Sequence, residues 1–450
     1  MSATVSAVDV SYDPGTGERQ RGVAHTTSAM VEAIVNRATT AADELAATAP
    51  SVRQTWLAAV SDALLAHEEE LALLGDEETG LGLPRLRGEI AGAARSLLFY
   101  ASVAVEGSYL NVSNFPFGFG VFGHDVASAL AAGCPVIAKA HPAHPRLSAR
   151  LSVIARSALL TAGAPEGTYD LVTGFDSGLH LVDSPAISTV AFTGSQRGGM
   201  ALLAKAAARG VPVFAEMGTV NPAFVTAAAA VADTAAIATG FVADVPPEPL
   251  LTAGIAASFT TGIAELAVAA ESTSRSTVPA GDGYFVAAQV FRVALADLIP
   301  VSRLREECFG PVALVCEHDD TAEALPTLVS LQGSLAASVV TGGPTDPETH
   351  AVVERLLPNV GRGALNARPT GVTNTSSQHH GGPGPATSRL DSTSVGAGAL
   401  DRFVRPAALQ NAAPETLPVF LSADNPWQIP RRIDGALITP TRSPISKDIS

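Results

Sequence analysis

The chain has 450 residues, 47% hydrophobic and only 16% charged, which suits a large, well-buried protein of two or three domains and excludes a disordered chain. A net charge of −15, with no run rich in lysine or arginine, argues against nucleic acid and anionic membrane surfaces as partners. Three cysteines (Cys134, Cys308 and Cys316), no signal peptide, and no apolar stretch near the roughly 18–20 residues of a membrane span indicate a reducing compartment, and the chain is read as cytoplasmic.

Residues 1–25 read as an edge segment turning at Asp13-Pro14-Gly15-Thr16-Gly17. From Thr27 to Tyr100 the apolar period is helical, with Met30, Ile34 and Ala38 on one face and Trp56, Val60 and Leu64 on another. Gly80-Leu-Gly-Leu-Pro84 breaks it, and Arg85-Leu86-Arg87 opens a further helix. A turn-like stretch around Asn114 leads to a helix over Asp125–Ala132 and a strand over Pro135–Lys139. Helices at Leu147–Ala162 and Gly198–Ala208 alternate with strands at Leu171-Val172, Thr189–Phe192 and Val211–Phe214, which is the pattern of a doubly wound parallel sheet. The second half shows helices at Ala232–Val242, Gly254–Ala270 and Thr321–Leu331, and strands at Val312–Cys316 and Ala337–Thr341. From about Pro406 the chain is Pro-rich and irregular, and Thr439–Ser450 is expected to be disordered.

Several stretches carry chemistry. Glu216 follows a buried apolar run and precedes Met217-Gly218. A carboxylate at a strand's exit into a cleft can serve as a general base; the alternative is an ordinary turn with a solvated glutamate. Thr193-Gly194-Ser195 with Gly198-Gly199 lies between a strand and a helix, so its N–H groups can hold a pyrophosphate, or Ser195 can simply cap the helix. Lys139 at the sheet's carboxyl edge can reach a ribose or phosphate, or lie in solvent. The Asn114 amide can help to stabilise an oxyanion. Glu307 and Phe309 can hold a ribose and lean on a nicotinamide; a charged helix end closed by Gly310-Pro311 is the alternative.

In order and approximate spacing these motifs resemble the aldehyde dehydrogenase superfamily. They are Asn114-Phe-Pro116, Ala131-Ala-Gly-Cys-Pro-Val136 with Lys139, Phe192-Thr-Gly-Ser195, Glu216-Met-Gly-Thr-Val-Asn-Pro222 and Glu307-Cys-Phe-Gly-Pro311, followed by His380-Gly-Gly-Pro and Thr393-Ser-Val-Gly396. The stretches Lys139-Ala-His141-Pro-Ala-His144 and Glu78–Glu89 narrow the resemblance to the branch of NADP-dependent and 2-oxoglutarate semialdehyde (2,5-dioxovalerate) dehydrogenases. The resemblance runs from about Val8 to Gly435. It implies an α/β fold with a Rossmann-type coenzyme domain over 1–217, an α/β catalytic domain over 218–395, and a 396–450 segment that packs back. It also implies the NAD(P)-dependent oxidation of a small aldehyde by a thiolate nucleophile, with Glu216 as base and Asn114 at the oxyanion. Lys139, His141, Thr193, Gly194, Ser195, Gly199, Glu307 and Phe309 would hold the coenzyme. Pro142 stands where NAD-preferring relatives carry a ribose-binding glutamate, which favours NADP while leaving NAD possible. Arg85 and Arg87 are candidates to bind a substrate carboxylate, with a solvated helix end as the alternative; a long-chain aliphatic aldehyde is the alternative substrate.

Two family segments are missing. The nucleophile's Gly-Gln-x-Cys-type loop has no counterpart near 242–246, and none of the three cysteines fits its place. Near 110–113 an oligomerisation hairpin and the strand ahead of Asn114 are absent, so the family's homo-oligomer is in doubt and the sheet should be one strand short. The chain is therefore expected to be impaired in thioester chemistry, with an inactive nucleotide-binding or partner-binding protein as the alternative function. No metal site is expected.

Overall fold

A computed structural model describes residues 7–104, 123–231, 248–299, 302–369, 372 and 375–440. The elements that matter for the site lie mostly in the first half. β1 (Val8–Asp9) pairs antiparallel with β2 (Val23–Ala24). Four helices follow: α1 (Ser28–Ala47), α2 (Pro50–Ala66), α3 (Glu68–Thr79) and α4 (Leu83–Ala104). α1 starts where the Thr27 hydroxyl accepts the Met30 N–H, and it buries Val31, Ile34, Val35, Ala38, Ala41 and Leu45 at helical spacing. α2 starts on Pro50, whose missing N–H is harmless in a first turn, and α3 stops at the left-handed Gly80.

The alternating units come next: α5 (His124–Ala132), β3 (Val136–Lys139), α6 (Pro145–Thr161), β4 (Tyr169–Val172), α7 (Phe175–Asp183), β5 (Val190–Thr193), α8 (Gln196–Ala207) and β6 (Val213–Glu216). β3 pairs parallel with β4, and β5 with β6. One continuous sheet was the expectation for Val136, Phe192 and Phe214. Instead, Val136 lies on one ladder and Phe192 and Phe214 on the other, with no described strand bonded to both. In a doubly wound sheet the first strand lies between the second and the fourth. Among the described residues no strand fills that place, and the ladder is interrupted there. Ile137 and Val172 still share a buried cluster with Val190, Val213 and Met217, so apolar packing joins the two pairs.

Beyond Met217 the chain forms β7 (Ala223–Val225), α9 (Ala253–Ala269), β8 (Glu271–Arg275), β9 (Gln289–Val293), β10 (Val312–Cys316), α10 (Thr321–Val329), β11 (Ser334–Val340), α11 (Thr349–Leu356) and β12 (Val360–Leu365). They make two three-stranded sheets, β12-β11-β7 and β10-β9-β8. Phe224, Val339, Val352 and Val360 form the core of the first, and Leu266, Phe291, Val293 and Leu304 that of the second. β12 escapes a sequence reading because two of its six residues, Gly361 and Gly363, are poor strand formers. Gly361 is required there, since a Cβ would lie 1.9 Å from the Gly381 carbonyl oxygen.

The segment from 396 divides in two. Ala399, Leu400 and Phe403 are fully buried in the α2–α6 core. From Arg405 to Pro440 the chain is largely exposed, with Ile429 buried, and it closes with a hairpin of β13 (Arg431–Ile433) and β14 (Ala436–Ile438). Asp434 and Gly435, both at positive φ, make its turn. The junctions near 110–113 and 242–246, Ala232–Val242 and 441–450 lie outside the described residues. Among the described residues no helix is long and apolar enough to cross a membrane.

Candidate active site

All four residues of β6 are buried, which carries the Glu216 carboxylate into the interior with 8% of the residue exposed. One edge of β6 bonds to β5, with Thr193 opposite Glu216. A remote segment covers the other edge. The Met217 N–H donates to the Ala386 carbonyl, the Ser388 N–H to the Ala215 carbonyl, and the Ala215 N–H to the Ser388 hydroxyl. The same segment brings in His380, whose Nδ1 lies 2.9 Å from Glu216 Oε2. Burial pushes the Glu216 pKa up, but the hydrogen bonds from His380 and Ser394 and the charges of His380 and Arg402 outweigh it and hold the carboxyl below its ordinary value. Glu216 is thus an ionised carboxylate with one oxygen already engaged.

A ring of buried polar groups surrounds it. Arg402 pairs with Asp125, donates to the Phe214 carbonyl at 3.1 Å, and lies 5.1 Å from the centre of the Phe214 ring. Burial raises the Asp125 pKa to about 6 against the opposing charge of Arg402. Burial lowers His124 to about 4, and Tyr100, pushed up by burial, sits edge-on to the His124 ring. His124, Asp125 and Arg402 are site residues that sequence reasoning missed, because nothing near them in the chain marks them, and Ser394 lies in the Thr393-Ser-Val-Gly396 motif, which gave it no role. His380 did carry a signal, its place in a family-like Gly-Gly-Pro stretch, but none that paired it with Glu216. Beside Glu216 a crevice of about 170 Å³ is lined by Gly381, Thr387, Ser388, Arg389 and Arg402.

The coenzyme candidates lie around the same strand ends. Ser195 caps α8 by accepting the Gly198 N–H, and the Gly194 N–H donates to the Glu216 carbonyl, so the Thr193–Gly199 turn is tied directly to the Glu216 strand. A Cβ on Gly199 would lie 2.5 Å from the Met217 sulfur, so glycine permits that close approach. Thr193 and Ser195 are exposed at the rim. Lys139 ends β3 with its side chain laid against Gly178 of α7, and the His141 and His144 rings stack at 5.1 Å beside it. Burial and neighbouring cationic groups lower His141 to about 3 and His144 to about 4, so both are neutral at pH 7. The start of α8, its small residues and one lysine form a set suited to a dinucleotide.

Glu307 is brought to the same place from the second half. Its Oε2 fills the space a Cβ on Gly218 would need, 2.2 Å from that position, and it accepts the Thr219 backbone N–H. Although the residue as a whole is exposed, burial of its carboxyl end raises its pKa, opposed by the Thr219 N–H. Phe309, two residues on, is 66% exposed. Asn114 lies outside the described residues. Arg85 pairs with Glu89 at 3.0 Å and Arg87 with Glu69 at 2.7 Å, both on the surface.

The three thiols have partners of their own. Cys134 is fully buried and directed at the Phe403 carbonyl. Cys308 packs against Gly262 and bonds Arg303, and burial raises its pKa despite that arginine. Cys316 ends β10, its pKa raised by burial and by Asp297 and Glu317.

Comparison with known proteins places the molecule. The sequence profile described as "Aldehyde dehydrogenase family" matches residues 4–243. Alpha-ketoglutaric semialdehyde dehydrogenase 2 of Azospirillum brasilense is 33% identical over an alignment of 512 positions that covers 94% of this chain and 95% of the relative. That alignment is longer than the 450-residue chain, so the relative carries residues that this chain lacks. Alpha-ketoglutaric semialdehyde dehydrogenase of Acinetobacter baylyi is 30% identical over 80% of this chain and 82% of its own length. Among solved structures, an NAD-dependent aldehyde dehydrogenase from Sinorhizobium meliloti superposes with a TM-score of 0.76 at 23% identity, covering 91% of this chain and 94% of that one. A 1-pyrroline-5-carboxylate dehydrogenase from Thermus with bound NAD gives 0.75 at 21% identity, with 89% of each chain covered.

Proposed function

Because this chain belongs to the aldehyde dehydrogenase family, whose reaction is NAD(P)-dependent oxidation of small aldehydes, we propose that its lineage substrate is 2-oxoglutarate semialdehyde and its product 2-oxoglutarate. The names of the two relatives that cover most of the chain support that substrate. We further propose that this chain keeps the dinucleotide site but is impaired in the thioester route.

One observation carries the impairment. A thiolate nucleophile needs a lowered pKa and a place beside the base. Here Cys308 and Cys316 both have raised pKa values, Cys134 is buried in the α2–α6 core, and Glu216 is held by His380 instead. Without a nucleophile Glu216 has no thioester to hydrolyse, and groups that act as a unit fail together.

The coenzyme, when bound, supplies the hydride acceptor. The α8 start with Ser195, and Lys139 at the edge of β3, would hold its pyrophosphate and adenosine ribose, and Glu307 beside Gly218 its second ribose. Lys139 with Pro142 favours NADP over NAD. The test is calorimetric titration of the purified chain with NADP and NAD, together with reduced-NADP absorbance on a panel of aldehydes that includes 2-oxoglutarate semialdehyde. The expected result is NADP binding tighter than NAD, with turnover at or near background. Turnover matching an intact relative and abolished by Cys308→Ser would overturn the impairment. Turnover that survives all three Cys→Ser changes would overturn the thioester route itself.

A further inference from the structure

A second carboxylate stands at the carboxyl edge of β3 and β4, supplied by a distant part of the chain. Asp9 lies on β1, opposite Val23 of β2. His25, just past β2, places Nε2 2.8 Å from Asp9 Oδ1, and the Gly174 N–H donates to Asp9 Oδ2 at 3.2 Å. Gly174 precedes the first residue of α7. With φ at 96° and the His25 ring 2.7 Å from where a Cβ would sit, this position favours glycine. Thr26 and Thr173 lock the two segments together, Thr26 N–H donating to the Thr173 carbonyl and Thr173 N–H to the Thr26 hydroxyl. One turn into α7, Gly178 receives the Lys139 side chain, whose Cγ lies 3.2 Å from a Cβ position there. Asp9 and Lys139 therefore flank the first turn of α7. Burial lowers the Lys139 pKa and the Asp9 charge works against that, so the two groups interact. The Asp9 side chain is 11% exposed, so the carboxylate is held in place.

We infer that Asp9 is a specificity-determining residue for the nucleotide, its fixed carboxylate favouring a ribose with a free 2′-hydroxyl and opposing a 2′-phosphate. This rests on the proposal that Lys139 faces the adenosine ribose. A carboxylate has about four acceptor positions, and two are taken here, so it can still accept from a hydroxyl. A 2′-phosphate monoester has little to donate at neutral pH and carries about −1.5 to −2 charges, which a neighbouring carboxylate repels. Doubly wound folds use an acidic residue for this discrimination. Pro142 removes that residue from its usual place after the lysine, which leaves NADP the tighter ligand, and the Asp9 charge, coming from β1, narrows that preference.

The experiment is calorimetric titration of the full chain and of Asp9→Asn with NAD and with NADP. The amide keeps the shape and both hydrogen bonds, accepting from Gly174 and donating to His25, while the charge is removed. NADP should tighten relative to NAD by at least about threefold, the scale of one partly screened charge interaction. Asp9→Ser carries the same expectation and serves if Asp9→Asn does not fold. Unchanged or reversed affinity ratios, with both nucleotides still bound, would overturn this inference alone. Failure of the unaltered chain to bind either nucleotide would overturn it together with the proposed coenzyme site.

Discussion

His380 presents Nδ1 to Glu216 Oε2 at 2.9 Å across 164 residues of sequence. The contact joins the end of β6 to the Gly-Gly-Pro segment that also covers the strand's outer edge. It gives the buried carboxylate a partner, which an ion in a low-dielectric interior requires.

The first prediction follows from that pairing. The Glu216 pKa lies below its ordinary value in the folded protein, so its contribution is present above the unfolded-state value of about 4.3 and is lost as pH falls through the folded value. Glu216→Gln should cost about 1–3 kcal/mol at pH 7, the range for a buried charge-assisted hydrogen bond. The cost should shrink on acidification. Urea unfolding of both proteins at pH 7 and at several values below about pH 4.3 measures it, and a difference that stays the same across that acid range would contradict the assignment.

Arg402 holds the other side of the strand through Asp125 and the Phe214 carbonyl. Arg402→Met removes both contacts and strands a buried carboxylate, which should cost about 3–5 kcal/mol. Burial already raises Asp125, and Arg402 is the charge opposing it, so the substitution should raise the folded pKa further. A folded pKa above the unfolded one gives stability that is present at low pH and lost as pH rises through the folded value. The variant should therefore be more damaged at pH 8 than at pH 5. Equal damage at both would show that Asp125 does not titrate as described.

Gly218 tests the meeting of the two halves. A methyl group there would sit 2.2 Å from Glu307 Oε2, the mobile end of a long side chain. Gly218→Ala should therefore cost little stability, within about 1 kcal/mol, by swinging the carboxylate aside. It should also weaken nucleotide binding if Glu307 holds a ribose. Melting temperature and NADP titration on the same sample separate the effects. Unchanged affinity would remove Glu307 from the coenzyme site.

The sequence by itself determined the units that near neighbours dictate. Val136–Lys139 and Val213–Glu216 are short apolar runs that become buried strands, and Ser195 stands at the head of a helix as its N-cap. The placement of Glu216 at a strand's exit was likewise legible, because β propensity and capping are local. Only the tertiary structure decided what each buried polar group meets. His380 reaches Glu216 across 164 residues, Arg402 reaches Asp125 across 277, and Asp9 comes from β1 to flank Lys139. A sheet one strand short was already expected from the sequence, but where the β3-β4 and β5-β6 ladders part appears only in three dimensions. The physical reason is that a buried ion takes whichever partner the chain's path brings within hydrogen-bond reach, and that path is set by apolar packing of the whole molecule.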